Sequence, residues 1–247
     1  MAMLKVERLS KTYRGQVMAL KDISFTIPTQ TFTAILGSSG AGKTTLLRCL
    51  TQLTQPDQGR IWFNGQELTN CSARQLRQFR SQVGLVSQQF NLIRRRTALE
   101  NCLAGRLSEL PLWRCFLNRF PQPLLHEAMT ALDRVQLLNF AFQRADRLSG
   151  GQQQRVAIAR ALTQGAKLIL ADEPIASLDP ESAHIVMSVL QSLCRQEGIT
   201  VICNLHQVAF AKQYSDRMLG MRDGELIFDQ PTATVEEEDV YAIYKSA

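Results

Sequence analysis

The run Gly37-Ser-Ser-Gly-Ala-Gly42-Lys43-Thr44 constrains this chain more than any other feature. It matches G-x-x-x-x-G-K-[ST] in full, a pattern that arises by chance in roughly one random chain of this length per hundred. Its surroundings suit its mechanism: Thr31 to Leu36 reads as a buried strand running into Gly37, and helix-forming residues follow from Lys43 to about Gln52. Glycines let the backbone curl until its N–H groups point inward at phosphate oxygens, and the helix start adds partial positive charge. Lys43 is then set to reach the β- and γ-phosphates of a nucleoside triphosphate, and the Thr44 hydroxyl to reach Mg²⁺.

Such a loop belongs at the end of a parallel strand, and the remaining sequence supplies more strands alternating with helices. Ile23 to Ile27 alternates apolar and polar residues before Pro28, and Gly59 to Phe63 reads as a strand stopped by Asn64-Gly65. Ser72 with Gln75 predicts a capping box opening a helix to Arg80, and Val83 to Val86 a further strand. From Thr97 to Arg147 no β-rich run occurs, while Leu125, Ala128, Met129, Leu132 and Val135 recur at helical spacing. Residues 90–147 therefore read as a mostly helical insertion. Beyond it, Lys167 to Ala171 and Ile199 to Cys203 are apolar strands, and Asp179-Pro180 caps a helix reaching about Gln196. Met218 to Phe228 predicts a hairpin, and Thr234 with Glu237 a cap for a last short helix.

Two further constellations carry chemistry. The strand ending at Ala171 runs into Asp172-Glu173, acids at the carboxyl edge where ligands bind in an open parallel sheet. Asp172 is placed to hold Mg²⁺, directly or through water, and Glu173 to act as general base on the attacking water. Leu148-Ser149-Gly150-Gly151-Gln152 opens a second helix with two glycines behind a serine, another anion-binding end. Two phosphate-binding helix starts about a hundred residues apart point to a site shared between two subunits.

Composition bounds the rest. Hydrophobic residues at 45% and charged residues at 20% over 247 residues are ordinary globular values, ample for a core. No run approaches the roughly 18 apolar residues of a spanning helix, and Met1 to Ser10 lacks a signal peptide's apolar core. Six scattered cysteines show no zinc spacing and read as reduced thiols of a cytosolic setting. The net charge of +6 is weak support for an anionic partner.

In this order, these residues resemble ATP-binding cassette ATPases over nearly the whole chain. The resemblance implies the α/β P-loop NTPase fold of that family, with an antiparallel β subdomain and an inserted α-helical subdomain. Residues 1–89 and 148–247 would form the core with the β subdomain, and 90–147 the helical one. The nucleotide would be held by Tyr13, stacked on adenine, and by Gly37, Ser38, Ser39, Gly40, Ala41, Gly42, Lys43, Thr44 and Thr45. Catalysis would fall to Glu173, with Gln88 of the Q-loop and His206 of the switch, and Mg²⁺ to Thr44, Gln88 and Asp172. Ser149, Gly150, Gly151 and Gln152 would close on the ATP of a partner subunit beside Asp179 of the D-loop. Ser38 and Ala41 depart from common family residues, but backbone cradling needs neither side chain; Ser87 stands where an aromatic is common before Gln88, which would alter packing toward the membrane partner.

A narrower resemblance, to the ATPase subunit of phosphonate importers, rests on Ala171 to Ser182, on Ile199 to Val208 and on the Trp113-containing insert. Phosphite importers use very similar subunits. The implied assembly is a homodimer on the cytoplasmic face of the inner membrane, bound to permease subunits, served indirectly by a periplasmic substrate-binding protein, without nucleic acid. Alternatives are an importer of another solute and a non-transport cassette in a phosphonate-degrading complex. Leu92, Ile93, Leu112, Trp113 and Phe116 form either a docking surface for the permease or subdomain core.

Overall fold

Chain order begins with a long antiparallel pair, β1 (Ala2–Tyr13) and β2 (Val17–Pro28), in which Ile23, Phe25 and Ile27 turn inward between exposed neighbours. In this computed structural model the described residues are 2–13, 15, 17–111, 113–114 and 119–245. The fully buried β3 (Phe32–Leu36) follows, then α1 (Lys43–Leu50), which stops two residues short of the predicted Gln52. β4 (Gln58–Phe63) and β5 (Gln66–Glu67) form a hairpin whose turn holds Asn64 and Gly65 at φ 48° and 79°, as its Asn-Gly sequence predicts. α2 (Ala73–Ser81) carries the predicted Ser72–Gln75 capping box, and β6 (Val83–Ser87) closes this first part.

Among the described residues, helices, turns and one isolated bridge between Thr97 and Arg144 occur between β6 and the next strand. α3 (Ala98–Leu103) is opened by a Thr97–Glu100 capping box that the sequence analysis did not single out. α4 (Gln122–Arg134) buries Ala128 and Leu132 fully, with Leu125 and Met129 packed partly against the core, as their spacing predicts. Both helices pack on α5 (Gly150–Thr163). Then come β7 (Leu168–Asp172), α6 (Pro180–Glu197) with Asp179 as its N-cap, β8 (Thr200–Asn204) and α7 (Val208–Tyr214). β9 (Arg217–Arg222), β10 (Glu225–Pro231) and α8 (Glu237–Tyr244) complete the order. The last helix is capped by Glu236 and Asp239, not by Thr234 and Glu237. Thr234 instead turns its hydroxyl onto the Pro231 carbonyl within a 3₁₀ turn, which delays the helix start.

Two sheets result. One is antiparallel, ordered β2-β1-β4-β5; the other is ordered β10-β9-β3-β8-β7-β6, with β3, β6, β7, β8 and β9 parallel and β10 antiparallel at its edge. Strands of the second sheet alternate their side chains between two apolar cores. Ile35, Leu168, Leu170 and Ile202 face the antiparallel sheet and α1, while Ala34, Leu36, Ile169 and Cys203 face α5 and α6. The near-continuous apolar runs seen in the sequence follow from this double burial.

Four cysteines are core residues and Cys71 is half-buried, while Cys115 lies outside the described residues. Burial raises the thiol pKa of Cys49 and Cys194 to about 11 and of Cys102 to about 12, so they stay protonated and unreactive. Among the described residues no helix is long and apolar enough to cross a membrane.

A close helix–strand approach tests this packing. A Cβ on Gly84 in β6 would lie 2.4 Å from the Ala161 Cβ of α5. Gly84→Val should destabilise the chain by about 1–3 kcal/mol in urea unfolding monitored by circular dichroism; unchanged stability would contradict the packing.

Candidate active site

Parallel register brings four strand ends to one edge. Leu36 ends β3 just before Gly37; β3 pairs Ile35 with Asn204, β8 pairs Asn204 with Asp172, and β7 pairs Asp172 with Ser87. The residues that follow these ends are the phosphate loop, Leu205-His206, Glu173 and Gln88. Sequence distances of more than a hundred residues thus collapse to neighbouring strands.

The loop between β3 and α1 takes the conformation its glycines allow. Gly37 and Gly42 have φ 152° and 100°, and a Cβ on either would meet a carbonyl oxygen, of Met221 at 2.3 Å and of Ala19 at 2.4 Å. No other residue fits both constraints. Ser39, Gly40, Gly42, Lys43 and Thr45 line a cavity of about 190 Å³ whose far wall is Glu173. Lys43 is buried, and its Nζ donates to the carbonyls of Gly37 at 2.7 Å and Ser38 at 3.0 Å. Burial draws its pKa below the ordinary value, opposed by the Glu173 and Asp172 carboxylates.

Across the cavity, Thr44 Oγ1 donates to Asp172 Oδ1 at 3.2 Å, and Asn204 Nδ2 donates to the same oxygen at 2.8 Å. Asn204 is fully buried, and its own Oδ1 has no protein donor. Glu173 stands in left-handed backbone conformation at φ 52°, which costs a non-glycine residue about 1–2 kcal/mol. That twist points its carboxylate out of the strand end, where Oε1 accepts from His206 Nε2 at 2.6 Å. The carboxylate can only accept here, so the ring carries its proton on Nε2. The cluster unites a phosphate cradle, an ammonium, two carboxylates and an imidazole. That set can bind a polyphosphate and activate water beside it.

The remaining predicted residues lie farther out. Tyr13 is exposed at the tip of the β1–β2 hairpin, with the Lys11 ammonium 5.9 Å from its ring centre. Gln88 is exposed directly after β6. Ser149 caps α5 in a capping box with Gln152, and Gly150 and Gly151 pack against Leu178 and Ser182 at the start of α6. None of these four lines the chain's own phosphate cavity. Asp179 is exposed and accepts from the Ser182 N–H at 2.9 Å, a bond that lowers its carboxyl pKa.

Three contributors went unnoticed in the sequence. Asn204 and Tyr244 carry no motif, and Tyr244 Oη donates to the His206 carbonyl at 3.0 Å from α8. Arg160 sits one helical face behind the signature glycines. Its guanidinium donates to the carbonyls of Asn91 at 2.6 Å and Phe90 at 3.3 Å, holding the turn after Gln88, where both residues have positive φ. Beside it runs a groove of about 450 Å³ lined by Leu53, Phe79, Leu85, Ile93, Arg160 and Gln164, among others. Ile93 and Trp113 are about half exposed, whereas Leu92 packs against the core, and Leu112 and Phe116 lie outside the described residues.

Known proteins align with this geometry. The ABC transporter family model matches residues 20–176. A relative from Rhodopseudomonas palustris (strain ATCC BAA-98 / CGA009), named phosphonates import ATP-binding protein PhnC 1, is 46% identical over 98% of this chain and 89% of its own length. A protein of the same kind from a Synechococcus strain is 43% identical over 98% and 90%. Among solved structures, the dimeric post-hydrolysis ATP-binding cassette MJ0796, bound to ADP and Pi, is 33% identical. It superposes with a TM-score of 0.79 over 93% of this chain and 99% of that one. CbiO1 of Clostridium perfringens, part of a transporter complex, gives a TM-score of 0.85 at 28% identity over 98% and 93%. The phosphate loop, the Asp172–Glu173 strand end and the family match together make this chain a member of the ABC transporter ATP-binding family, an ATPase.

Proposed function

We propose that this chain is the ATP-hydrolysing subunit of a phosphonate importer, working in two copies on the cytoplasmic face of a membrane permease. The observation that carries the reading is the convergence of the phosphate loop, Asp172 and the Glu173–His206 pair on one sheet edge. Its solute comes from the similarity, over nearly the whole chain, to curated phosphonate-import subunits.

The donor set fits Mg²⁺. Thr44 and Asp172 offer hard oxygen ligands that already share a hydrogen bond, and the buried, unpartnered Asn204 Oδ1 beside them is suited to accept from an ion's water. When bound, Mg²⁺ would neutralise phosphate charge as the bond to the leaving group breaks. Lys43 would exchange its two carbonyl partners for β- and γ-phosphate oxygens. Glu173 would take the proton of the water that attacks the γ-phosphorus, ADP leaving in line. His206, now donating to Glu173, would turn toward the γ-phosphate, and Gln88 would meet the water and the metal from β6. Tyr13 would stack on adenine.

Ser149 to Gln152 do not line their own chain's cavity, which supports their closing over the ATP of a second copy, with Asp179 at the seam. Residues 90–147 would form the mobile helical unit that leads into that signature. The groove beside Arg160 would receive the permease, because it joins the turn after Gln88 to the signature helix through one side chain. A permease pushing on the groove would thereby bear on both halves of the site.

Three measurements bear on this reading. Glu173→Gln should keep ATP affinity while turnover falls about 10²–10⁴-fold in a phosphate-release assay; near-normal hydrolysis would remove Glu173 as the base. Ser149→Arg should spare ATP binding to the monomer yet abolish nucleotide-dependent dimerisation by gel filtration, and a variant that still dimerises would reject the composite site. Ile93→Glu should leave hydrolysis by the isolated subunit within about twofold while phosphonate uptake by cells carrying the intact complex collapses. Unimpaired uptake would move the docking surface elsewhere.

A further inference from the structure

The segment Asn204-Leu205-His206 leaves β8 and has to keep an exposed imidazole aligned on Glu173. Three bonds fasten it. Asn204 Nδ2 donates to Asp172 Oδ1 at 2.8 Å, the Leu205 N–H donates to the Ile35 carbonyl at 3.0 Å, and the His206 carbonyl accepts from Tyr244 Oη at 3.0 Å. The first two tie the segment to neighbouring strands. The third reaches across to α8, which comes 38 residues later.

Beyond His206, Gln207 begins α7 without any side-chain capping bond. Among the described residues, the Tyr244 hydroxyl is therefore the one side-chain restraint on the His206 backbone. It stands on firm support. Ile243 is fully buried, α8 packs on β9 and β10, and Arg222 Nη1 donates to the Ala242 carbonyl at 2.7 Å. Tyr244 itself is 37% exposed, and the burial of its inner part raises its phenol pKa, a rise that the Gly37 backbone opposes.

We infer that Tyr244 is a positioning residue for ATP hydrolysis, its hydroxyl holding the His206 backbone against the phosphate-loop entrance so that the imidazole stays aligned on Glu173. Nothing in the phosphate loop, the acid pair or the signature requires this helix, and the inference rests on the role proposed above for His206. A tyrosine is suited to the task because its rigid ring spans from the end of α8 to the carbonyl with little rotamer freedom to lose.

The test uses the full chain with Tyr244→Phe, His206→Ala and the double variant, measured for kcat and for the KM of ATP. Phenylalanine keeps the ring and removes only the donor. Tyr244→Phe should lower kcat about fivefold, the equivalent of one net hydrogen bond of ~1 kcal/mol, with KM for ATP unchanged. His206→Ala should lose most activity, and adding Tyr244→Phe to it should cost nothing further, because the phenol acts only through the histidine. A fully active Tyr244→Phe beside an inactive His206→Ala overturns the inference alone. A fully active His206→Ala overturns both it and the reading of the site. A Tyr244→Phe defect that multiplies the His206→Ala defect, or that appears in KM, also overturns it.

Discussion

The parallel pairing of β3, β8, β7 and β6 is the constraint on which the site depends. Each strand is too short and too apolar to hold a functional residue by itself, yet their shared register delivers Gly37, His206, Glu173 and Gln88 to one edge. Double burial makes the register unforgiving, since a one-residue slip would turn Leu170 or Ile202 from one core into the other and swing Asp172 away from Thr44. The antiparallel sheet and α1 cover one face, and α5 and α6 the other. The chemistry therefore rests on rigid strand ends with loops free to change conformation.

The cavity is built for an anion. Lys43 satisfies its ammonium with backbone carbonyls of its own loop, Thr44 with the Asp172 carboxylate, and Glu173 with His206. Each of these groups has a partner it can exchange for a phosphate, an ion or a water. Asn204 Oδ1 is the exception, buried without a donor. Burying a lone acceptor costs about 1–3 kcal/mol, and a residue in left-handed conformation at Glu173 adds strain beside it. Stability is given up at the point where the reaction would occur, which is where function most often requires it.

The helix α5 joins two segments that lie far apart in sequence. At its first turn Ser149 is exposed while Gly150 and Gly151 pack on Leu178 and Ser182, outside the lining of the chain's own phosphate cavity, and Arg160 near its far end grips the turn after Gln88. The turn after Gln88 and the signature are separate in sequence and joined through one guanidinium.

Much of this was legible in the sequence. The phosphate loop, the Asp172-Glu173 strand end and the glycine-opened α5 declare themselves because backbone cradling, metal binding and helix capping each demand particular residue types at fixed local spacing. Apolar runs likewise announced β3, β6, β7 and β8, though not β1 or the full length of β2, and Ser72–Gln75 and Asp179-Pro180 announced helix starts, since periodicity and caps are local physics. What the sequence left open depends on contacts between distant segments. Thr234 and Glu237 fit a capping pattern, yet a 3₁₀ turn moved the start to Glu236. Leu92 reads like Ile93 in sequence, but packing turned one into the core and left the other beside the groove. Asn204 and Tyr244 carry no signature at all, because a hydrogen bond across 32 or 38 residues has no period and no spacing. Sequence alone determined which groups could bind and cleave a triphosphate; only the folded register and the position of α8 decided which other side chains hold them in place.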